Sequence, residues 1–127
     1  MSSVVFDAST LLVSLKREPG QEAVNAIDDH IVMSSVNFAE VVTKLVLGHV
    51  RSDEIESAVA EYDLTVAPFT ERLAVAAGLL VARTRHLELS LADRACLALG
   101  MELGLPIVTA DRAWADLDLG IDIRLIR

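Results

Sequence analysis

The stretch LSLADRACLALGMELGLPIVTADRAW, residues 89–114, decides most of the fold. Ser90 with Asp93 three residues on is the signature of a helix start. From Leu91 the apolar residues recur at helical spacing as far as Gly104, and Pro106 stands just beyond. Glycine then proline is the usual way a helix stops. Ile107–Thr109 reads as a short buried strand, Asp111 follows its end, and Arg112–Leu117 reads as one or two helical turns. A helix that returns the chain to a strand, with an acid where the strand ends, is part of a parallel α/β unit.

Working outward, the same alternation fills the chain. Val4–Phe6 is a strand and is followed by a helix from about Ala8 to Arg17, which Pro19-Gly20 stops. A second helix is expected over Gln21 to Asp28 and a strand over Ile31–Ser34. A helix over Asn37 to Leu47 ends at Gly48. Ser52 caps another to about Glu61, Leu64–Val66 is a short strand, and Thr70 caps a long helix to about Arg85. Ile121–Leu125 is the last strand. Strands separated by helices imply right-handed crossovers and a three-layer α/β/α sandwich around a central, mainly parallel sheet. In such a sheet the site lies outside the carboxyl ends of the strands.

With 127 residues the chain is read as a single domain over 1–127. It carries 19 acidic against 11 basic side chains, a net charge of −8, which excludes a passive clamp on duplex DNA. At 4% aromatic content a base-stacking platform is excluded as well. The opening MSSVVFDAST has no basic n-region and an acid at Asp7, so no signal peptide is expected. The apolar run Leu73 to Ala82 is too short to span a bilayer. The lone Cys96 suits a reducing compartment, and a soluble, cytoplasmic protein with no membrane partner is expected. His30, His49 and His86 lack ligand spacing, and no zinc, serine-hydrolase or P-loop motif is present.

Four acids break the pattern. Asp7 and Asp111 each follow a strand directly; either could be a helix N-cap, yet both converge on one sheet edge. Asp93 shares a helix face with Cys96, Leu97 and Gly100, an expensive place for a carboxylate unless it caps, pairs or binds metal. Glu40 lies opposite the stripe Phe38, Val41, Val42 and Leu45, beside Thr43, Lys44 and Leu47. Periodicity alone makes it a solvated Glu, or the partner of Asn37 in a capping box. If carboxylates share a pocket, their repulsion calls for a divalent cation, and all-oxygen ligands select Mg²⁺ or Mn²⁺.

The segments VVFDAST at 4–10, SSVNFAEVVTKL at 34–45, residues 89–114 and the C-terminal IRLIR resemble the PIN-domain ribonucleases, specifically the VapC toxins of type II toxin–antitoxin pairs. The resemblance spans nearly the whole chain. It implies a site of Asp7, Glu40, Asp93 and Asp111 that holds Mg²⁺, with Asp116 and Ser9 as auxiliary candidates. It departs at Ala92, where the family often has Gly, whereas Thr109, two before the fourth acid, fits. The implied activity is endoribonuclease hydrolysis by a metal-activated water, leaving a 5′-phosphate and a 3′-hydroxyl. The implied partners are a cognate antitoxin, an RNA substrate and a second copy in a homodimer. Nine of the eleven basic residues are Arg. Arg72, Arg83, Arg85, Arg94 and Arg112 flank the motif helices, and arginine suits phosphate contact. Two alternatives remain: a phospho-acceptor domain modified at Asp7, and a catalytically silent PIN module that only binds.

Overall fold

Five short strands form one sheet in the computed structural model, which describes residues 2–127. In chain order the elements are β1 (Ser3–Phe6), α1 (Ala8–Leu15), α2 (Gln21–Asn25), β2 (His30–Ser34), α3 (Ser35–Leu47) and α4 (Ser52–Val59). They continue with β3 (Leu64–Ala67), α5 (Glu71–Leu79), α6 (Leu91–Leu103), β4 (Ile107–Thr109) and β5 (Ile123–Leu125). The strand order is β3-β2-β1-β4-β5, and every pairing is parallel.

The expected three layers are present, and β1 shows why. Val4 and Phe6 pack into one cluster with Leu11, Leu12, Val41 and Leu45, while Val5 packs into the other with Leu73, Ala77, Leu97 and Trp114. Alternate residues of a strand face opposite sides, so a strand apolar at every position must be covered twice. Helices α1 to α4 supply one cover, and α5 with α6 supply the other.

Two features place the site. The chain builds outward from β1 through β2 to β3, then crosses to β4 on the other flank of β1. The order therefore reverses between β1 and β4, where open α/β sheets leave a crevice at their carboxyl edge. Helix α6 runs back across the sheet to the start of β4, so its N-terminus lies at that same edge. It packs closely: a Cβ at Gly100 would stand 2.6 Å from Ile107 Cγ1. Gly104, at φ +64°, makes the left-handed stop that Gly104 and Pro106 signalled.

Several boundaries differ from the sequence expectation. The helix begun by Thr70 ends at Leu79 rather than Arg85, and the chain continues as 3₁₀ turns over Leu80–Arg83 and Arg85–Leu87. There Arg94 of α6 donates Nη1 to Ala77 O at 2.9 Å, and Thr84 Oγ1 donates to Leu80 O at 2.9 Å. Side chains thus take carbonyls that a continuing α-helix would use, and Thr84 N turns to Val81 O instead. Helix α3 starts at Ser35 because Ser34, the last residue of β2, caps it by accepting from Val36 N at 3.2 Å. Asn37 is therefore inside the helix, and the Asn37–Glu40 capping box does not form. Helix α2 stops at Asn25, and β5 begins at Ile123. Among the described residues no helix is long and apolar enough to cross a membrane.

Candidate active site

Asp7 is the anchor. It follows β1, caps α1, and is only 5% exposed. Its Oδ1 accepts from Thr10 N at 3.0 Å and from Thr10 Oγ1 at 2.9 Å. Ser9 Oγ lies 2.8 and 2.9 Å from its two oxygens, and Thr109 Oγ1 donates to Oδ2 at 2.7 Å. Burial pushes its carboxyl above the usual value of 3.8, against the lowering by these hydrogen bonds from Thr109, Ser9 and Thr10. Among the described residues no cationic side chain lies within ion-pairing distance of it.

The hydroxyls around Asp7 also fix β4. Ser9 Oγ accepts from Ala110 N at 3.1 Å, and Thr109 Oγ1 accepts from Asp111 N at 3.0 Å. Thr10 Oγ1, shared with Val108 O at 2.7 Å, ties α1 to the same strand. Asp111 is thereby joined to Asp7 through one threonine. It is exposed and caps the following 3₁₀ turn, Arg112–Asp116, with Oδ1 accepting from Ala113 N at 3.0 Å. Asp116, at the far end of that turn, is exposed and makes no hydrogen bond to the other acids.

Asp93 satisfies both readings of its sequence position. The capping box with Ser90 is present: Asp93 Oδ2 accepts from Ser90 N and Ser90 Oγ accepts from Asp93 N, each at 3.1 Å. That uses one oxygen and leaves Oδ1 uncommitted at the carboxyl edge. Glu40, in the second turn of α3, is half-buried and leans to Lys44, with Oε2 3.3 Å from Nζ. Its Oε1 takes no protein hydrogen bond among the described residues, and neither does Asp111 Oδ2.

Cys96, fully buried one turn below Asp93, registers this assembly. Burial drives its thiol well above 9.0, and the charges of Asp7, Asp93 and Glu40 push it further in the same direction. In the side-chain conformations present, no three Asp, Glu, His or Cys groups among the described residues stand close enough to share one ion. The donor chemistry nevertheless fits a hard divalent cation. Three carboxylates each present a free oxygen, and Asp7 carries an ionisable group in a buried place with no cation to balance it.

Two residues of the site escaped the sequence reading. Thr10 was not singled out, though it ties Asp7 to Val108 of β4. Asn37, 1% exposed, donates Nδ2 to Ala92 O at 3.0 Å and bridges α3 to the residue before Asp93. Its position on one stripe with Val41 and Leu45 was the available signal. Its Oδ1 has no protein partner, and leaving a buried acceptor unpaired costs about 1–3 kcal/mol. Of the arginines, Arg72 pairs with Glu102 at 2.9 Å, and Arg83 donates to Asp118 O at 3.4 Å. Arg112 donates to Arg127 O at 3.2 Å, and Arg94 is engaged with α5.

Against this geometry the family model of the PIN domain matches residues 4–119. The chain belongs to the PIN-domain family. Comparison with curated protein sequences gave no match. Among solved structures, this PIN domain is similar to VapC20 of Mycobacterium tuberculosis, described as a sarcin-ricin loop cleaving toxin. The TM-score is 0.73 at 16% identity, covering 91% of this chain and 96% of that one. It also resembles a chain of VapBC-1 from nontypeable Haemophilus influenzae, with a TM-score of 0.72 at 13% identity and 98% of both chains covered. For VapBC-5 of Mycobacterium tuberculosis the TM-score is 0.68 at 21% identity, covering 100% and 99%. At these identities the likeness is one of fold. The PIN assignment spans Asp7, Glu40, Asp93 and Asp111 and so agrees with the resemblance read from the sequence.

Proposed function

We propose that this PIN domain is a Mg²⁺-dependent endoribonuclease, Mn²⁺ substituting, that acts as the VapC-type toxin of a type II toxin–antitoxin pair. The observation that carries the reading is the set of carboxylates at the sheet's topological switch point, with Asp7 buried there and unbalanced by any cation among the described residues. Asp7 and Asp93 would hold the ion, and Glu40 and Asp111 would complete the set. Bound there, Mg²⁺ would polarise a scissile phosphate and lower the pKa of water.

The chain's own residues supply the rest. Ser9, Thr10 and Thr109 hold Asp7 in one rotamer, so its oxygens are preorganised. The free oxygens Glu40 Oε1 and Asp111 Oδ2 can orient an attacking water and take its proton. No serine, cysteine or histidine stands in the set as a nucleophile, so hydrolysis would proceed without a covalent enzyme intermediate. The similarity to structures of toxin–antitoxin complexes supports a cognate antitoxin as partner. A net charge of −8 makes a cationic segment of that partner the natural match for the acidic edge. Exposed Val75, Leu79 and Val81, with Met101 and Leu103 of α6, support a homodimer.

The test is brief induction of the chain alone, followed by mapping of RNA 5′ ends and growth. Discrete new 5′-phosphate ends with growth arrest are expected. Unimpaired growth and an unchanged 5′-end map, with folded protein present, would overturn the assignment.

A further inference from the structure

We propose that Asn37 is a positioning residue of the carboxylate site, fixing the first turn of α6, and with it Asp93, relative to Glu40 and Asp7. The inference rests on the metal-nuclease reading above. Asn37 stands one turn before Glu40 on α3, so its backbone and that of Glu40 move together. Its side chain is 1% exposed, and Nδ2 donates to Ala92 O at 3.0 Å. Ala92 shares a peptide unit with Asp93, so a rotation or slide of that peptide would carry the Asp93 carboxylate with it. The other restraint on Asp93, the capping box with Ser90, lies within α6 and cannot set the distance between helices.

This amide bridge is the side-chain hydrogen bond that joins the helix of Glu40 to the helix of Asp93. An apolar side chain would pack on the same stripe as Val41 and Leu45, yet the position holds an amide whose Oδ1 is left without a protein partner. Plain packing does not require that group; registry between two ligand-bearing helices does.

The experiment is calorimetric titration of Mn²⁺ into metal-free full-length protein, with steady-state RNA cleavage and melting temperature measured on the same samples. Asn37→Leu fills the volume without the donor, and Asn37→Ser is a milder loss that carries the test if the leucine variant does not fold. Expected are a Mn²⁺ dissociation constant raised at least fivefold, kcat lowered at least tenfold, and KM for RNA within twofold. Mn²⁺ affinity and kcat within twofold of wild type in a folded variant, whatever its melting temperature, would overturn the proposal. Asp93→Asn separates the two levels of the argument. If it abolishes Mn²⁺ binding while the Asn37 variants do not, the positioning role alone fails. If it leaves Mn²⁺ binding intact, the nuclease reading fails and takes the proposal with it.

Discussion

Replacing Gly100 by alanine tests whether α6 is set by its contact with β4. A Cβ at this position would meet Ile107 Cγ1 at 2.6 Å, and the Cδ1 atom of Ile107 still more closely. Carbon atoms in contact want about 3.5 Å or more, so roughly 1 Å must be found. Ile107 is 0% exposed and β-branched in a central strand, so its side chain cannot swing away. The helix must move instead. Overpacking of this kind costs about 1–3 kcal/mol, offset by up to about 1 kcal/mol of helix propensity. The net is a destabilisation centred on about 1 kcal/mol, seen as a fall of roughly 3–5 °C in Tm for a chain of this size. Because α6 also carries Asp93, displacement of about 1 Å should lower RNA cleavage by roughly 10²-fold. The assay is urea unfolding of Gly100→Ala, Ile107→Ala and the double variant. Removing the Ile107 side-chain carbons opens the space, so the double variant should be more stable than the sum of the singles predicts by at least about 1 kcal/mol. Additive effects, or a Gly100→Ala protein as stable as wild type, would refute the reasoning.

Other outcomes follow from the site's electrostatics and caps. Burial raises the Asp7 pKa above 3.8 in the folded, metal-free protein, so the fold binds a proton that the unfolded chain has released. Stability contributed by protonated Asp7 is complete below 3.8 and is lost as pH rises through the raised value. Asp7→Asn should remove that dependence while abolishing cleavage. Identical pH profiles in urea unfolding would contradict this. Ser90→Ala deletes the cap on Asp93 N and should lower stability by about 1 kcal/mol; an unchanged denaturation midpoint would count against the capping box as a stabilising contact. Cys96 should react with a thiol reagent only on unfolding, so labelling of the native protein at the rate of a free thiol would show that the floor beneath the carboxylates is open.

The parallel sandwich could be read from the chain because its signals are local. Ser90 and Asp93, Gly104 and Pro106, and the β-branched runs at Val4 and Ile107 each specify their own element. Asp7 and Asp111 were legible as strand-end acids for the same reason. What could not be read depends on partners distant in sequence. The break in the 70–85 helix depends on Arg94 of α6 taking the carbonyl of Ala77. The role of Asn37 depends on Ala92, and that of Thr10 on Val108, so neither showed in a window of one helix. Glu40 is half-buried beside Lys44, and periodicity gave no reason to single it out; the family resemblance did. The acidic excess that first argued against nucleic acid is sharpened in the same way, since four of those charges are concentrated at one sheet edge.

The central claim is that these carboxylates cleave RNA with a divalent cation. The most direct measurement is cleavage of structured RNA by purified protein with Mg²⁺ or Mn²⁺, with EDTA, and with Asp93→Asn, circular dichroism confirming the fold. The asparagine can still accept from Ser90 N, so the helix cap survives while the charge is lost. Metal-dependent cleavage that both EDTA and Asp93→Asn abolish is expected. Cleavage that persists in both would contradict the claim.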